Sequence, residues 1–197
     1  MSTRPYVLNS PDSFITDALR GFLAANPSIA WQSDPGFVYR RHTDDDRVAV
    51  ISGGGSGHEP MHSGMIGAGM LDAACPGLVF TSPNALQIAG ATRQVDGGRG
   101  VLHIVKNYTG DVMNFRIARH MLRDEVSTDH VIVDDDVATE SDSGPGRRGT
   151  GATIIVEKIC GAAAARGDEL TEVAEIGRRV VAGARSCLLY TSPSPRD

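Results

Sequence analysis

VAVISGGGSGHEPMH, Val48 to His62, decides how the rest of the chain is read. Its first four residues, Val48-Ala49-Val50-Ile51, are an apolar, largely β-branched run of the length of a buried strand. Gly53-Gly54-Gly55-Ser56-Gly57 then carries almost no side chain, so positive φ is cheap and backbone N–H groups can approach an oxygen-rich ligand closely. His58, Glu59 and His62 follow at once, which delivers a group that titrates near neutral pH to the end of the strand. A strand that breaks into glycines and then a histidine predicts a small-molecule site of the α/β kind. A plain flexible turn is the alternative, although four glycines in five residues exceed what a turn needs. A phosphate loop requires Gly-Lys-Ser/Thr, but Gly57 precedes His58, and the spacing is not G-x-G-x-x-G either.

Working outward, the same order of strand, loop and helix recurs. Val101–Val105 is a second buried strand running into Lys106-Asn107-Tyr108-Thr109-Gly110-Asp111, with a helix from Val112 to Arg123 whose Phe115, Ala118, Met121 and Leu122 face inward. Val131-Ile132-Val133 is a third strand and ends in Asp134-Asp135-Asp136. Leu78-Val79-Phe80 reads as a short strand, and Ser82-Pro83 as N-cap and first residue of a helix reaching Arg93. Upstream, Ser10-Pro11-Asp12 starts a helix with Phe14, Ala18, Leu19, Phe22 and Leu23 on one face, ended by Asn26-Pro27. Ile29, Trp31 and Phe37-Val38-Tyr39 are short extended pieces, and Asp44-Asp45-Asp46 is a solvated turn. Helices over Thr150–Ala165, with Gly167 as the glycine past its end, and Leu170–Val181 follow a long polar loop. The expected fold is α/β, a mixed or parallel sheet flanked by helices, with sites beyond the carboxyl ends of the strands. If the strands are parallel neighbours, the glycine stretch, the Lys106–Asp111 loop and the triple aspartate share one rim.

The length of 197 residues suits one domain, or one and a fraction. A net charge of −5 without a Lys/Arg run argues against nucleic acid, few aromatics argue against base stacking, and no apolar run reaches membrane-spanning length. The start, MSTRPYVLNS, lacks the apolar core of a signal peptide. Cys75, Cys160 and Cys187 form no C-x-x-C, which fits a reducing cytoplasm. The triple aspartate admits a metal, but an acidic turn that caps a helix or faces a partner is simpler. Arg147-Arg148 reads as a solvated pair by default, with phosphate or a partner as alternatives. His62 would share a helical face with His58 if a helix began there, yet no third zinc ligand offers itself. His42, His103, His120 and His130 take no ligand role, His103 being a core or rim residue. The closing stretch CLLYTSPSPRD matches the translation of a transposase-type sequencing adapter. Residues 1–186 are therefore expected to be the native part and residues 187–197 a non-native tail, with the natural chain running on past residue 186.

GGGSGHEPMH, ACPGLVFTSP, VDGGRGVLHIVKNYTGDVMNF, DDDV and GRRGTGATIIVEKICGAAAARGD, in that order, resemble the K subunit or K domain of dihydroxyacetone kinases across residues 11–183. The resemblance implies a two-domain α/β protein of which this chain is the truncated first domain. It implies a ketose held by the loop Gly55, Ser56, Gly57 and His58, with His58 catalytic and Lys106 and Asp111 binding the substrate. Chemically, Asp111 suits the base that takes the attacking hydroxyl's proton, Lys106 would offset developing charge, and His58 would bond a substrate oxygen. A helix N-cap and a snorkelling lysine are the bland alternatives for Asp111 and Lys106. The family's second histidine, which bonds the ketone carbon as a hemiaminal, has no counterpart in residues 1–186, so the 197-residue chain is expected to be inactive alone. ADP or ATP with Mg would come from a partner L subunit or domain, since no Walker A motif or kinase glycine loop is present. A homodimer is implied for the full-length form. The alternatives are a non-catalytic dihydroxyacetone sensor and a kinase for another short ketose or a tetrose.

Overall fold

A computed structural model describes residues 8–42, 46–140 and 146–188. Strands β1 (Ile29–Gln32), β2 (Phe37–Arg40), β3 (Ala49–Ser56), β4 (Ala73–Val79), β5 (Val101–Lys106) and β6 (Thr128–Val133) form one sheet in the order β1-β2-β4-β3-β5-β6. Pairing is parallel across β4, β3, β5 and β6 and antiparallel across β1, β2 and β4, so the sheet is mixed. Helices α1 (Phe14–Ala25), α2 (Ala85–Val95), α3 (Thr109–Leu122), α4 (Ala152–Arg166) and α5 (Leu170–Gly183) flank it.

The alternation of side chains along a strand builds two cores. Val48 and Val50 pack with Leu102, Ile104 and residues of α4 and α5 on one face. Ala49 and Ile51 pack with Val101, Val105 and residues of α2 and α3 on the other. Central strands covered on both faces are apolar on both, which is why Val48–Ile51 and, His103 apart, Val101–Val105 read as near-continuous apolar runs. β4 lies on one side of β3 and the chain then crosses to β5 on the other side. Ligands of open α/β sheets bind outside the carboxyl ends of strands where the winding reverses in this way.

The amino ends of β3 and β4 are tied by a buried ionic cluster. Asp72 accepts from Arg47 Nη1 at 3.0 Å, from the Val50 amide at 2.9 Å and from Arg40 Nη1 at 3.2 Å, and Arg47 Nη2 contacts its other oxygen.

Several expectations shift. The glycines do not end β3 but continue it: Gly53 pairs with Cys75, Gly54 with Pro76 and Gly55 with Gly77. A Cβ on Gly55 would stand 2.6 Å from the Thr81 amide nitrogen, so close approach of the following chain demands glycine there. The strand expected at Leu78-Val79-Phe80 is instead Ala73–Val79, with Leu78 and Phe80 exposed. Helix α2 starts two residues later than Ser82-Pro83 implied, because Asn84 and Gln87 form a reciprocal capping box. Ser13 rather than Ser10 precedes α1, where Leu19, Phe22 and Leu23 pack on the core while Phe14 stays exposed. Helix α3 begins at Thr109 rather than Val112; Phe115, Ala118 and Leu122 are buried, but Met121 is exposed. Strand β6 opens at Thr128, three residues before Val131. Helix α4 spans Ala152–Arg166, with Gly167 at φ 93°, and α5 extends to Gly183. Asp44 and Asp45, and residues 189–197 of the expected tail, lie outside the described residues.

Candidate functional site at the carboxyl ends of β3 and β5

β3 delivers Ser56, Gly57 and His58 to the rim where the winding reverses, and its parallel neighbour β5 ends at Lys106. Asp111 follows in the first turn of α3. Lys106 and Asp111 are both buried, whereas His58 lies at the surface with its ring edge-on to Phe80 at 5.2 Å. Ser56 Oγ donates to the Gly77 carbonyl at 2.6 Å, which pins the strand end. Gly57 adopts φ 100°, and its amide donates to Glu59 Oε2 at 2.9 Å.

Charges at the rim act on one another. Burial pushes the His58 imidazole down from its ordinary value, reinforced by Lys106 and His62 and opposed by Glu59 and Asp111. Burial likewise lowers Lys106, against the carboxylates of Asp111 and Glu157. Burial raises Asp111, against a hydrogen bond from Ser82 and the charges of Lys106, His62 and His58. The result suits acid–base work: a carboxylate made more basic, beside a cation and an imidazole that favours its neutral form. Asp111 Oδ1 is buried without a protein partner. Sequence reasoning grouped His58, Lys106 and Asp111, and the fold brings them to one rim.

Two further residues join them. His62 is buried, with Nδ1 2.6 Å from Glu157 Oε1 on α4. No helix connects His58 with His62, so the envisaged zinc pair on one helical face does not form; only a short 3-10 turn follows, over Ser63–Met65. A Cβ on Gly54 would stand 2.7 Å from Lys106 Nζ and 3.2 Å from His62 Nε2, so this glycine keeps the floor of the rim open. The sequence held one clue to Glu157: it falls on the α4 face that also carries buried Thr153, Cys160, Gly161 and Ala164. A cavity of ≈ 580 Å³ adjoins the site, between Phe14, Leu19 and Phe22 of α1 and Gly54–Ser56 and His62. His58, Lys106 and Asp111 are not among the residues that line it, so it is a neighbour of the rim rather than the polar pocket itself.

The triple aspartate works as a helix cap. Asp135 accepts from the Thr150 amide at 2.7 Å, Thr150 Oγ1 at 2.8 Å and the Ala152 amide at 3.1 Å, satisfying the start of α4. Asp136 accepts from the Ala138 and Leu188 amides, and Asp134 from Arg147. With both oxygens of Asp135 and one each of Asp134 and Asp136 bonded to protein donors, the turn serves the start of α4 and does not fit a Mg²⁺-nucleotide cage. Arg148 lies 5.9 Å from the Tyr108 ring. His103 is a core residue, 3.0 Å from Thr92 Oγ1, with burial pushing it down to about 3. Cys75 and Cys160 are buried free thiols, and burial raises Cys160 to about 12. Among the described residues, no helix is long and apolar enough to cross a membrane.

Residues 20–193 match the profile of the Dak1 domain. The dihydroxyacetone-binding subunit DhaK of the PEP-dependent dihydroxyacetone kinase of Escherichia coli is 48% identical over 177 residues, which are 88% of this chain and 50% of that protein. The chain thus spans about half the length of this relative. The dihydroxyacetone kinase of C. freundii, solved with AMP-PNP and Mg²⁺, superposes with a TM-score of 0.87 at 37% identity, over 98% of this chain and 38% of that one. A structure concerned with regulation of the dha operon of Lactococcus lactis gives a TM-score of 0.77 at 34% identity, over 82% of this chain and 51% of that one. The matched residues make up most of the chain and its fold is shared with a solved relative: the chain belongs to the Dak1 domain family.

Proposed function

We propose that this chain is the ketose-holding part of a dihydroxyacetone kinase. The observation that carries the reading is the rim itself: His58, Lys106 and Asp111 act electrostatically on one another at the winding reversal of a Dak1 domain. The backbone of Gly55–His58 holds the triose. Asp111, raised by burial, takes the proton of the attacking hydroxyl as that oxygen bonds to the transferred phosphorus and the bond from that phosphorus to the donor's oxygen breaks, giving dihydroxyacetone phosphate and the dephosphorylated donor. Lys106 offsets the negative charge that gathers on the substrate oxygens, and neutral His58 accepts a hydrogen bond from the substrate. The phosphoryl group would come from ATP with Mg²⁺ on a nucleotide-carrying L partner, the ATP being either taken up directly or formed by recharging a tightly held ADP, and ADP would be the leaving group. The kinase functions as a dimer in the cytoplasm, a compartment that suits its free thiols.

The test is phosphorylation of dihydroxyacetone by the parent protein with its nucleotide-carrying partner. His58→Ala and Asp111→Ala are each expected to lower the rate by about 10²- to 10⁴-fold. Unchanged rates in both would overturn the assignment. The similarity to a structure from a regulatory system keeps a sensor as the second reading; ketose binding without turnover would establish it.

A further inference from the structure

The trio assigned above leaves one buried ionisable pair without a role. His62 is 5% exposed and Glu157 fully buried. Their bond occupies one nitrogen and one oxygen; His62 Nε2 and Glu157 Oε2 remain buried with no protein partner. A pair kept only for packing would be served as well by apolar side chains of the same volume, because unmatched buried polar atoms are costly. Its free nitrogen has a definite place: the point a Cβ on Gly54 would occupy is 3.2 Å from His62 Nε2 and 2.7 Å from Lys106 Nζ. The negative charge of Glu157 acts on Lys106 in the direction that keeps it protonated.

We propose that the His62–Glu157 pair is a positioning element of the ketose pocket: Glu157 fixes the imidazole through Nδ1, and Nε2, beneath Gly54, sets where the Lys106 ammonium sits. This rests on the ketose reading above. With the Nδ1 hydrogen given to Glu157, Nε2 presents a lone pair. An ammonium with three donors can turn one toward that lone pair and keep the others for ligand oxygens. The other groups that face Lys106 are Asp111 from α3, His58 from the end of β3 and the Tyr108 ring at 5.8 Å. Asp111 belongs to the reacting centre, which leaves Glu157 as the carboxylate that supports Lys106 from behind.

Glu157→Gln tests this, because glutamine keeps an acceptor for Nδ1 while removing the charge. Dihydroxyacetone affinity of the parent protein is measured by calorimetry from neutral to alkaline pH, with Lys106→Met as the reference that lacks a titrating ammonium. Glu157→Gln is expected to bind about 10-fold more weakly. Its alkaline loss of affinity should also begin at lower pH, since Lys106 gives up its proton sooner without that carboxylate. Wild-type affinity with an unmoved alkaline limb overturns the proposal. A second measurement needs no variant: the ¹⁵N resonance of His62 Nε2 in the wild-type parent protein should move on saturation with dihydroxyacetone. An unmoved resonance in a protein that binds the ketose also overturns the proposal. Failure of the wild-type parent protein to bind dihydroxyacetone would overturn the ketose reading itself, and this inference with it.

Discussion

The two ends of the same parallel strands make opposite use of buried charge. At the amino end, Asp72 is surrounded by donors from Arg40, Arg47 and the Val50 amide. At the carboxyl end, Asp111, His62 and Glu157 each keep a buried polar atom without a protein partner. Those atoms are three of the six such atoms among the described residues, so unmatched polarity concentrates at the rim. A matched cluster holds a fold together, whereas an unmatched one costs stability and is retained where something else completes it. The two ends therefore teach where this sheet stores rigidity and where it receives a ligand.

Paired substitutions sharpen the contrast. Asp111→Asn should lower phosphoryl transfer by about 10²- to 10⁴-fold yet leave stability at neutral pH unchanged or higher. The sign follows from the raised Asp111 pKa: a carboxylate harder to ionise in the folded state than in the unfolded one subtracts stability above its unfolded value, and a neutral amide removes that cost. Asp72→Asn should do the reverse, losing about 3–5 kcal/mol in denaturant unfolding, since buried Arg47 and partly buried Arg40 lose their counter-charge. Equal stability losses at both ends would break the comparison.

A smaller effect separates two neighbouring glycines at the carboxyl end. Gly55→Ala drives a methyl group against the Thr81 backbone, and about 1–3 kcal/mol of stability should be lost. Gly54→Ala meets mainly the end of the Lys106 side chain, which can swing away. Its stability loss should be smaller and its ketose affinity clearly weaker. Thermal unfolding and calorimetric titration of both variants read the difference.

Much of the fold was legible from the glycine stretch outward, for a physical reason. β3 and β5 are covered on both faces, so Val48–Ile51 and, His103 apart, Val101–Val105 are near-continuous apolar runs rather than the one-sided pattern of an amphipathic helix. Boundaries were harder. Ser82-Pro83 carries a strong helix-start signal, but the reciprocal bonds of Asn84 and Gln87 take the cap two residues on. Met121 was misplaced because it lies six residues past Phe115, about 120° round the helix from it. His58, Lys106 and Asp111 stand in compact local motifs at strand ends, and strand order alone brings them together. The His62–Glu157 contact joins residues 95 positions apart, and no local pattern encodes such a pairing. For the triple aspartate a helix-capping turn is the simpler reading of the sequence, and Asp135 caps the start of α4, but its particular donors, like Arg147 for Asp134, are brought near only by the folded loop.

The most direct test is titration of unlabelled dihydroxyacetone into the ¹⁵N-labelled parent protein, followed through its backbone amides. The expected result is saturable shifts at Gly55–His58, Lys106 and Asp111, with Val50 and Asp72 at the opposite end unmoved. Shifts centred on the Asp72 cluster, or no saturable shift anywhere, would contradict the assignment of the rim as the ketose site.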